Sequence, residues 1–461
     1  MSTMMKIVDP MDLPLTMGSF ARASVATCFA SDGSMQTVAA NVPRITHDPV
    51  TLQCLGALIE GAATNLLLNS LALSTQSVTV AAVPHTLSWF GTGSIALSGV
   101  YSSGGPVGGA GAYPARRSIT FTPTAGTLTL TVIGVVAYAN LEPSKTVASS
   151  WIPTNGAAAT RAADVLTGTG LLYSSVPEPD TGEAPWNAGT TYNLLQTCYD
   201  PATHTVYESA KESPANLNKN PALAANAAYW NVRDKTNRWG MFDDQVSTPT
   251  TANNTIVLLL RPPGVIDTVG LMGLVGGHVT LTQHVAAGGR LISARTKSLD
   301  GSLAEDYWEW CFDPFIQVEK ALFSNLAPYA DGLITVVLEG NGPVACGFFT
   351  MGVSYDIGEC NFGADSDFVD WSQVTRNKYG VTTRIAGNSS FDNSYEIHVP
   401  AGLMPRVTWL RKKIGSKPAL YIPSEEVQFD ALVNFASMSR WRFTFQKPTY
   451  TITNLAVKGL T

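Results

Sequence analysis

Runs of alternating β-branched and polar residues recur along this chain and leave little room for helix. SVTVAAV (77–83), HTLSWFG (85–91), RSITFTP (117–123) and TLTLTVIGVVAYANL (127–141) alternate with period two between Gly and Pro. NTIVLLL (254–260), HVTLTQHV (278–285), LITVVLEG (333–340) and RWRFTF (440–445) continue the pattern. Threonine dominates the polar side, as half-exposed strands favour. Helical periodicity is confined to PRVTWLRKKIG (405–415), which puts Val407, Leu410 and Ile414 on one face with Gly after it. EDYWEWCF (305–312) fits a helical turn or a strand. The expectation is an all-β chain of several sandwich or jelly-roll-like modules with few helices.

A chain of 461 residues exceeds one ordinary core. Residues 1–70 lack periodicity and read as an extended docking arm ordered by other subunits. Residues 71–166 read as a small β-sandwich, with a Gly-rich loop at GVYSSGGPVGGAGAYP (99–114). A linker at VPEPDTGEAPWNAGTTY (176–192) opens a small aromatic β module within 167–245. Residues 246–461 leave room for one large sandwich or two small ones.

Charged residues make up only 14%, against about 25% in ordinary soluble domains. Such a surface suits permanent burial against other subunits, and a homo-oligomer, a trimer above other states, is expected. No apolar run approaches the ~18–20 residues of a spanning helix, so no membrane partner is expected. The net charge of −6 argues against nucleic acid. Six scattered cysteines form no C-x-x-C pair, which disfavours the common zinc and redox spacings. Such thiols fit synthesis in a reducing cytoplasm, and MSTMMKIVDPMDLPL lacks the pattern of a secretory signal.

Catalytic motifs are missing: no G-x-S-x-G, no phosphate loop and no H-E-x-x-H. The chain reads as a non-enzyme, without catalytic residues, cofactor or metal. His278 and His284 share a strand face by parity, Asp365, Asp367 and Asp370 alternate after Gly363, and Glu305, Asp306 and Glu309 lie among aromatic residues. Each reads more simply as an ordinary strand or loop position. In TNRWGMFDD (236–244), alternation sets Trp239 with Met241 on one face, and Asp243 and Asp244 fall in the following turn. That stretch reads as a junction.

Aromatic residues cluster between 186 and 239. Flat rings stack on sugars, so Trp186, Tyr192, Tyr207 and Trp230 are the glycan-contact candidates; the competing reading makes them a small module's core.

Two motifs go further. Residues 21–70 carry Arg22, Asp32, Gly33, Asn41, Pro43, Arg44, His47, Asp48, Pro49, Glu60, Thr64, Asn65 and Leu66. LEPSKTVASSWIPTNGAAATRAADVL (141–166) follows, with Trp151 where a Tyr is usual. In this order they resemble the opening and closing motifs of a group of tailed-bacteriophage virion proteins. The resemblance covers about residues 15–166 and implies a carbohydrate-binding-type jelly-roll between the motifs. About 70 residues separate them, so a smaller sandwich is expected. Trp186, Gly189, Tyr192, Val206, Tyr207, Glu208, Ser209 and Trp230 are similar to small modules of phage tail proteins, themselves like chitin-binding modules. LLQTCY (194–199) departs from that pattern. The implied role is a structural virion component, made in the host cytoplasm, of the tail tip, baseplate or tail fibre, with a host-surface glycan as ligand and other virion subunits as partners. A capsid-bound head spike or decoration protein is the alternative. A glycan-degrading tailspike would need β-helix repeats, which the sequence does not show.

Overall fold

The computed structural model describes residues 3–180, 182–302, 306–312, 316–361, 363–376, 378–415, 417–445 and 447–460. The chain is all-β: among the described residues only two α-helices occur, Tyr307–Phe312 and Met404–Ile414, with four short 3-10 turns. No helix among them is long and apolar enough to cross a membrane.

A nine-stranded antiparallel sheet dominates the C-terminal part. Six of its strands close on themselves, because Phe348–Cys360 pairs both with Thr3–Pro10 and, at its far end, with Ser389–Pro400. Tyr395, Ile397, Tyr421 and Leu455 fill the resulting barrel. The helix Met404–Ile414 packs Val407, Leu410 and Ile414 against the same core. Gly415 ends that helix at φ 55°, a left-handed conformation that suits glycine. A five-stranded sheet of Gly170–Ser174, Thr250–Arg261, Leu333–Cys346, His278–His284 and Leu291–Ser298 covers the other end of the large sheet. Leu258, Leu281 and Val336 from one sheet meet Val269, Phe323 and Met351 from the other in a shared core.

The N-terminal segment corrects the expected docking arm. Thr3–Pro10 is an internal strand between Phe348–Cys360 and Pro418–Ile422. Met5, Ile7 and Val8 are fully buried. Residues 19–65 then form hairpins of three to five residues per strand, too short for periodicity to show. They belong to the first β unit: Ser19–Ala21 pairs with Val165–Thr167 and Ala63–Asn65 with Ala159–Arg161. Between these closures lies a small sandwich of a four-stranded and a three-stranded sheet around Leu87, Trp89, Leu128 and Leu141.

Candidate functional site

The opening and closing motifs meet in space. Asp164 accepts Arg22 Nη1 at 3.1 Å on one carboxylate oxygen and Arg44 Nη2 at 2.6 Å on the other. Glu60 Oε2 takes Arg44 Nη1 at 2.7 Å and Arg161 Nη1 at 2.8 Å. The three arginine side chains and Asp164 are sealed from solvent. Burial alone would raise the Glu60 carboxyl, but Arg161, Arg44 and the Ser150 hydrogen bonds hold it below its usual range. The surplus positive charge is met by carbonyl oxygens, including Ala39 O at 2.6 Å from Arg22 Nη2. Asn65 donates to the carbonyls of Ala139 and Ile152 and accepts the Leu141 N–H. Trp151 donates Nε1 to Ser70 Oγ at 3.1 Å. The motif residues therefore lock the two ends of the unit together.

The predicted glycan platform lies elsewhere than on the surface. Tyr192, Tyr207 and Trp230 are 3%, 9% and 4% exposed and enclose Cys198. Tyr192 meets Trp230 edge to face at 5.2 Å, and Trp230 Nε1 donates to Lys219 O. Trp186 packs half-buried against them. A four-stranded sheet of this size has few Leu or Ile to bury, and its rings make the core instead.

TNRWGMFDD is a 3-10 turn, Asn237–Phe242, and not a strand. The Thr236 carbonyl accepts the N–H groups of Trp239 and Gly240. Trp239 and Met241 are both buried in the main core. Around Trp239 a knot forms on Glu178: His204 Nδ1 lies 2.8 Å from its Oε1, Thr236 donates to the same oxygen, and Trp239 Nε1 donates to Oε2. His204 Nε2 reaches Leu15 O at 2.8 Å, tying the N-terminal segment to the small module. Burial would raise Glu178; His204, Thr236 and Arg238 outweigh it and hold it low.

Among the described residues, the other candidate acids and histidines form no cluster that could hold a metal. His278 and His284 end the same strand, six residues and roughly 20 Å apart, too far to share a metal. His278 pairs with Glu339 at 2.9 Å. Asp365, Asp367 and Asp370 sit on an exposed edge strand, Asp365–Asp370, and not on a loop. Asp306 caps the helix through the Glu309 N–H, and Glu305 lies outside the described residues.

A cleft that the sequence did not single out opens at one end of the three-stranded sheet. The central strand His85–Gly91 loses register with both neighbours there. Residues 112–115 loop out on one side and a bulge at Tyr138 on the other. Tyr113 and Tyr138 consequently flank Phe90, at centroid distances of 5.6 and 6.1 Å. Gly91 is required because an added Cβ would stand 2.4 Å from Val135 O. Phe90 is nearly sealed and forms the floor, backed by the Arg116 guanidinium at 5.5 Å. Tyr113 is 40% exposed, and its hydroxyl donates to Gly33 O at 2.7 Å. Trp151 braces Tyr138 edge to face at 4.9 Å. The cleft encloses about 450 Å3 and carries Ser34 and Thr92 on its rim. Aromatic walls with a few hydroxyls can take the apolar face of a ring such as a sugar.

No family model matches the chain, and no curated protein matches it. Solved structures that match include a fucolectin from striped bass (Morone saxatilis) serum, at 10% identity and TM-score 0.15, over 74% of this chain and 98% of that one. Another is a GH78 rhamnosidase of Bacillus sp. GL1, at 10% identity and TM-score 0.17, over 76% of this chain and 36% of that one. A third is an M60 catalytic domain with two CBM51 domains from Clostridium perfringens, at 6% identity and TM-score 0.13, over 76% and 43%. At these TM-scores the likeness carries no argument.

Proposed function

We propose that this protein is a non-enzymatic structural component of a tailed-phage virion, at the tail tip, baseplate or tail fibre, that touches a host-surface glycan. The carrying observation is the closure of the opening and closing motifs through Arg22, Arg44, Arg161, Glu60 and Asp164. The residues matched by the resemblance are the ones that close this unit, which supports reading residues 15–166 as one module. The contact point is the Phe90–Tyr113–Tyr138 cleft, and the buried rings at 192, 207 and 230 support their module from within.

The test is binding of the purified protein to host cells and to host surface polysaccharide. Tyr113→Ala removes a half-exposed wall together with its ring contacts to Phe90 and Tyr138 and its hydroxyl bond to Gly33 O. Single stacking contacts are weak, so the protein alone should bind in the millimolar range, about −4 kcal/mol. Tyr113→Ala should weaken cell binding about fivefold, since one stacked ring is worth roughly 1 kcal/mol, and should cost about 1–2 kcal/mol of stability while leaving the protein folded. Unchanged binding by Tyr113→Ala would overturn the cleft assignment. Release of shorter oligosaccharides from the polysaccharide would overturn the non-enzymatic part.

A further inference from the structure

The five-stranded sheet carries a second cleft on the face turned away from the main core. Ile256, Val279, Leu281 and Leu338 point into that core, so alternation turns Thr255, His278, Thr280 and Glu339 to the opposite face. Strand pairing sets Thr255, Glu339 and His278 in one row across three strands. His278 Nε2 lies 2.9 Å from Glu339 Oε2, and beside them Thr280 Oγ1 lies 2.9 Å from Thr296 Oγ1. The hairpin of Arg44–His47 and Cys54–Leu58 covers the far end of this face, where the Ala57 N–H donates to Thr335 Oγ1 at 3.2 Å. Between the turn of that hairpin and the polar row a cleft of about 570 Å3 is left, within the ~300–1,000 Å3 of small-molecule sites. Gln53 walls it on one side. On the other the strand ladder breaks: Asn253 faces Pro343 and Thr255 faces Glu339, so Asn254 and residues 340–342 bow outward. Asn254, left-handed at φ 65°, and Asn341 line the cleft from that bulge.

The lining decides what fits. Among the described residues that form it there is no Lys, Arg, Trp, Tyr or Phe, so an anion finds no fixed counter-charge and an apolar ring no flat partner. It offers amides that donate and accept, hydroxyls, and a carboxylate whose Oε1 accepts no hydrogen bond from the described residues. The adjacent hydroxyls of a sugar, each a donor and an acceptor, call for that mixture. The turn 30–34 stands between this cleft and the one at Phe90, because Ser31 lines the first and Ser34 the second. Three residues of chain span at most about 11 Å, so the two clefts are neighbours. We propose that this cleft is a second saccharide subsite, which holds by hydrogen bonds a unit of the same polysaccharide that stacks at Tyr113 and Tyr138. The subsite rests on the glycan contact proposed above and extends it along the glycan chain.

The experiment is calorimetric titration of the full chain with host surface polysaccharide cut to single repeating units and to longer fragments. Two clefts fixed on one molecule act together on one chain, so long fragments should bind at least about tenfold tighter than single units. Glu339→Gln keeps the size of the side chain and removes its charge. Asn254→Gly removes the amide and keeps a residue at ease in left-handed backbone. Each should weaken long-fragment binding about fivefold, the worth of one hydrogen bond. Tm should move little, because the His278–Glu339 pair is partly exposed and such pairs add little stability. Long fragments that bind no tighter than single units, or wild-type affinity in both variants, would overturn the subsite and leave the Tyr113–Tyr138 contact standing. Binding weakened by Glu339→Gln and Asn254→Gly but not by Tyr113→Ala would keep the subsite and overturn the Tyr113–Tyr138 contact. A wild type that binds neither kind of fragment would overturn both.

Discussion

His204 lies flat against Trp239, with ring centroids 4.3 Å apart and planes 16° from parallel. Both rings also reach the Glu178 carboxylate. This pairing joins the small module to the main core, because His204 belongs to the module and Trp239 to the core. Trp239→Ala should therefore destabilise the protein by about 3–5 kcal/mol, the range for truncating a buried aromatic ring. Urea unfolding followed by tryptophan fluorescence measures it. A change below about 1 kcal/mol would mean that the module hangs on other contacts.

Asp243 gives a pH signature. Burial pushes its carboxyl up to about 6, against the opposing hydrogen bonds from the Gln245 N–H and the Thr248 hydroxyl. Between its ordinary value of 3.8 and about 6 the folded chain holds a proton that the unfolded chain has released. Stability from this group is thus greatest at the acid end and falls as pH rises through that window. Asp243→Asn should flatten this part of the stability–pH curve and raise stability at neutral pH. An identical slope in wild type and variant would contradict the assignment.

The buried network predicts an asymmetry between removing one partner and removing a set. Asp164→Asn strips Arg22 and Arg44 of their shared carboxylate and should cost about 3–5 kcal/mol, because it strands buried charge. Replacing Arg22, Arg44, Glu60, Arg161 and Asp164 together by apolar residues of similar volume should cost less than the single change. Thermal unfolding of both variants decides it; a mild Asp164→Asn beside a ruinous multiple variant would refute the reading.

Trp230→Ala separates a core ring from a ligand platform. At 4% exposure it should cost about 3–5 kcal/mol and open the module at 184–235 to protease. A variant with wild-type protease resistance and lost cell binding would restore the platform reading.

Much of the fold was legible from period-two alternation, and one helix from Val407, Leu410, Ile414 and Gly415 in register. What escaped was set by partners distant in sequence. TMMKIVDP shows no clean alternation because both its faces are buried, Met5 and Ile7 in the barrel and Val8 against Phe348 and Leu420. TNRWGMFDD has the composition of a strand, and its 3-10 turn follows from backbone hydrogen bonds to the Thr236 carbonyl, which composition does not encode. The aromatic cluster at 186–230 could be read as core or platform, because burial depends on a sheet too small to be filled by aliphatics. The cleft was the least legible, since it depends on two register breaks beside Phe90 and on the positive φ of Tyr138, 48°. The Gly-rich loop that ends in Tyr113 was its one visible trace.

The central claim is that this chain is built into a tailed-phage particle. Cryo-electron microscopy of intact virions, with mass spectrometry of the same purified particles, tests it most directly. The account predicts stoichiometric copies of the chain in the tail, with the nine-stranded sheet and first β unit fitting density and the Tyr113–Tyr138 cleft facing outward. Particles that lack the chain, or carry it only in amounts removed by further purification, would contradict it.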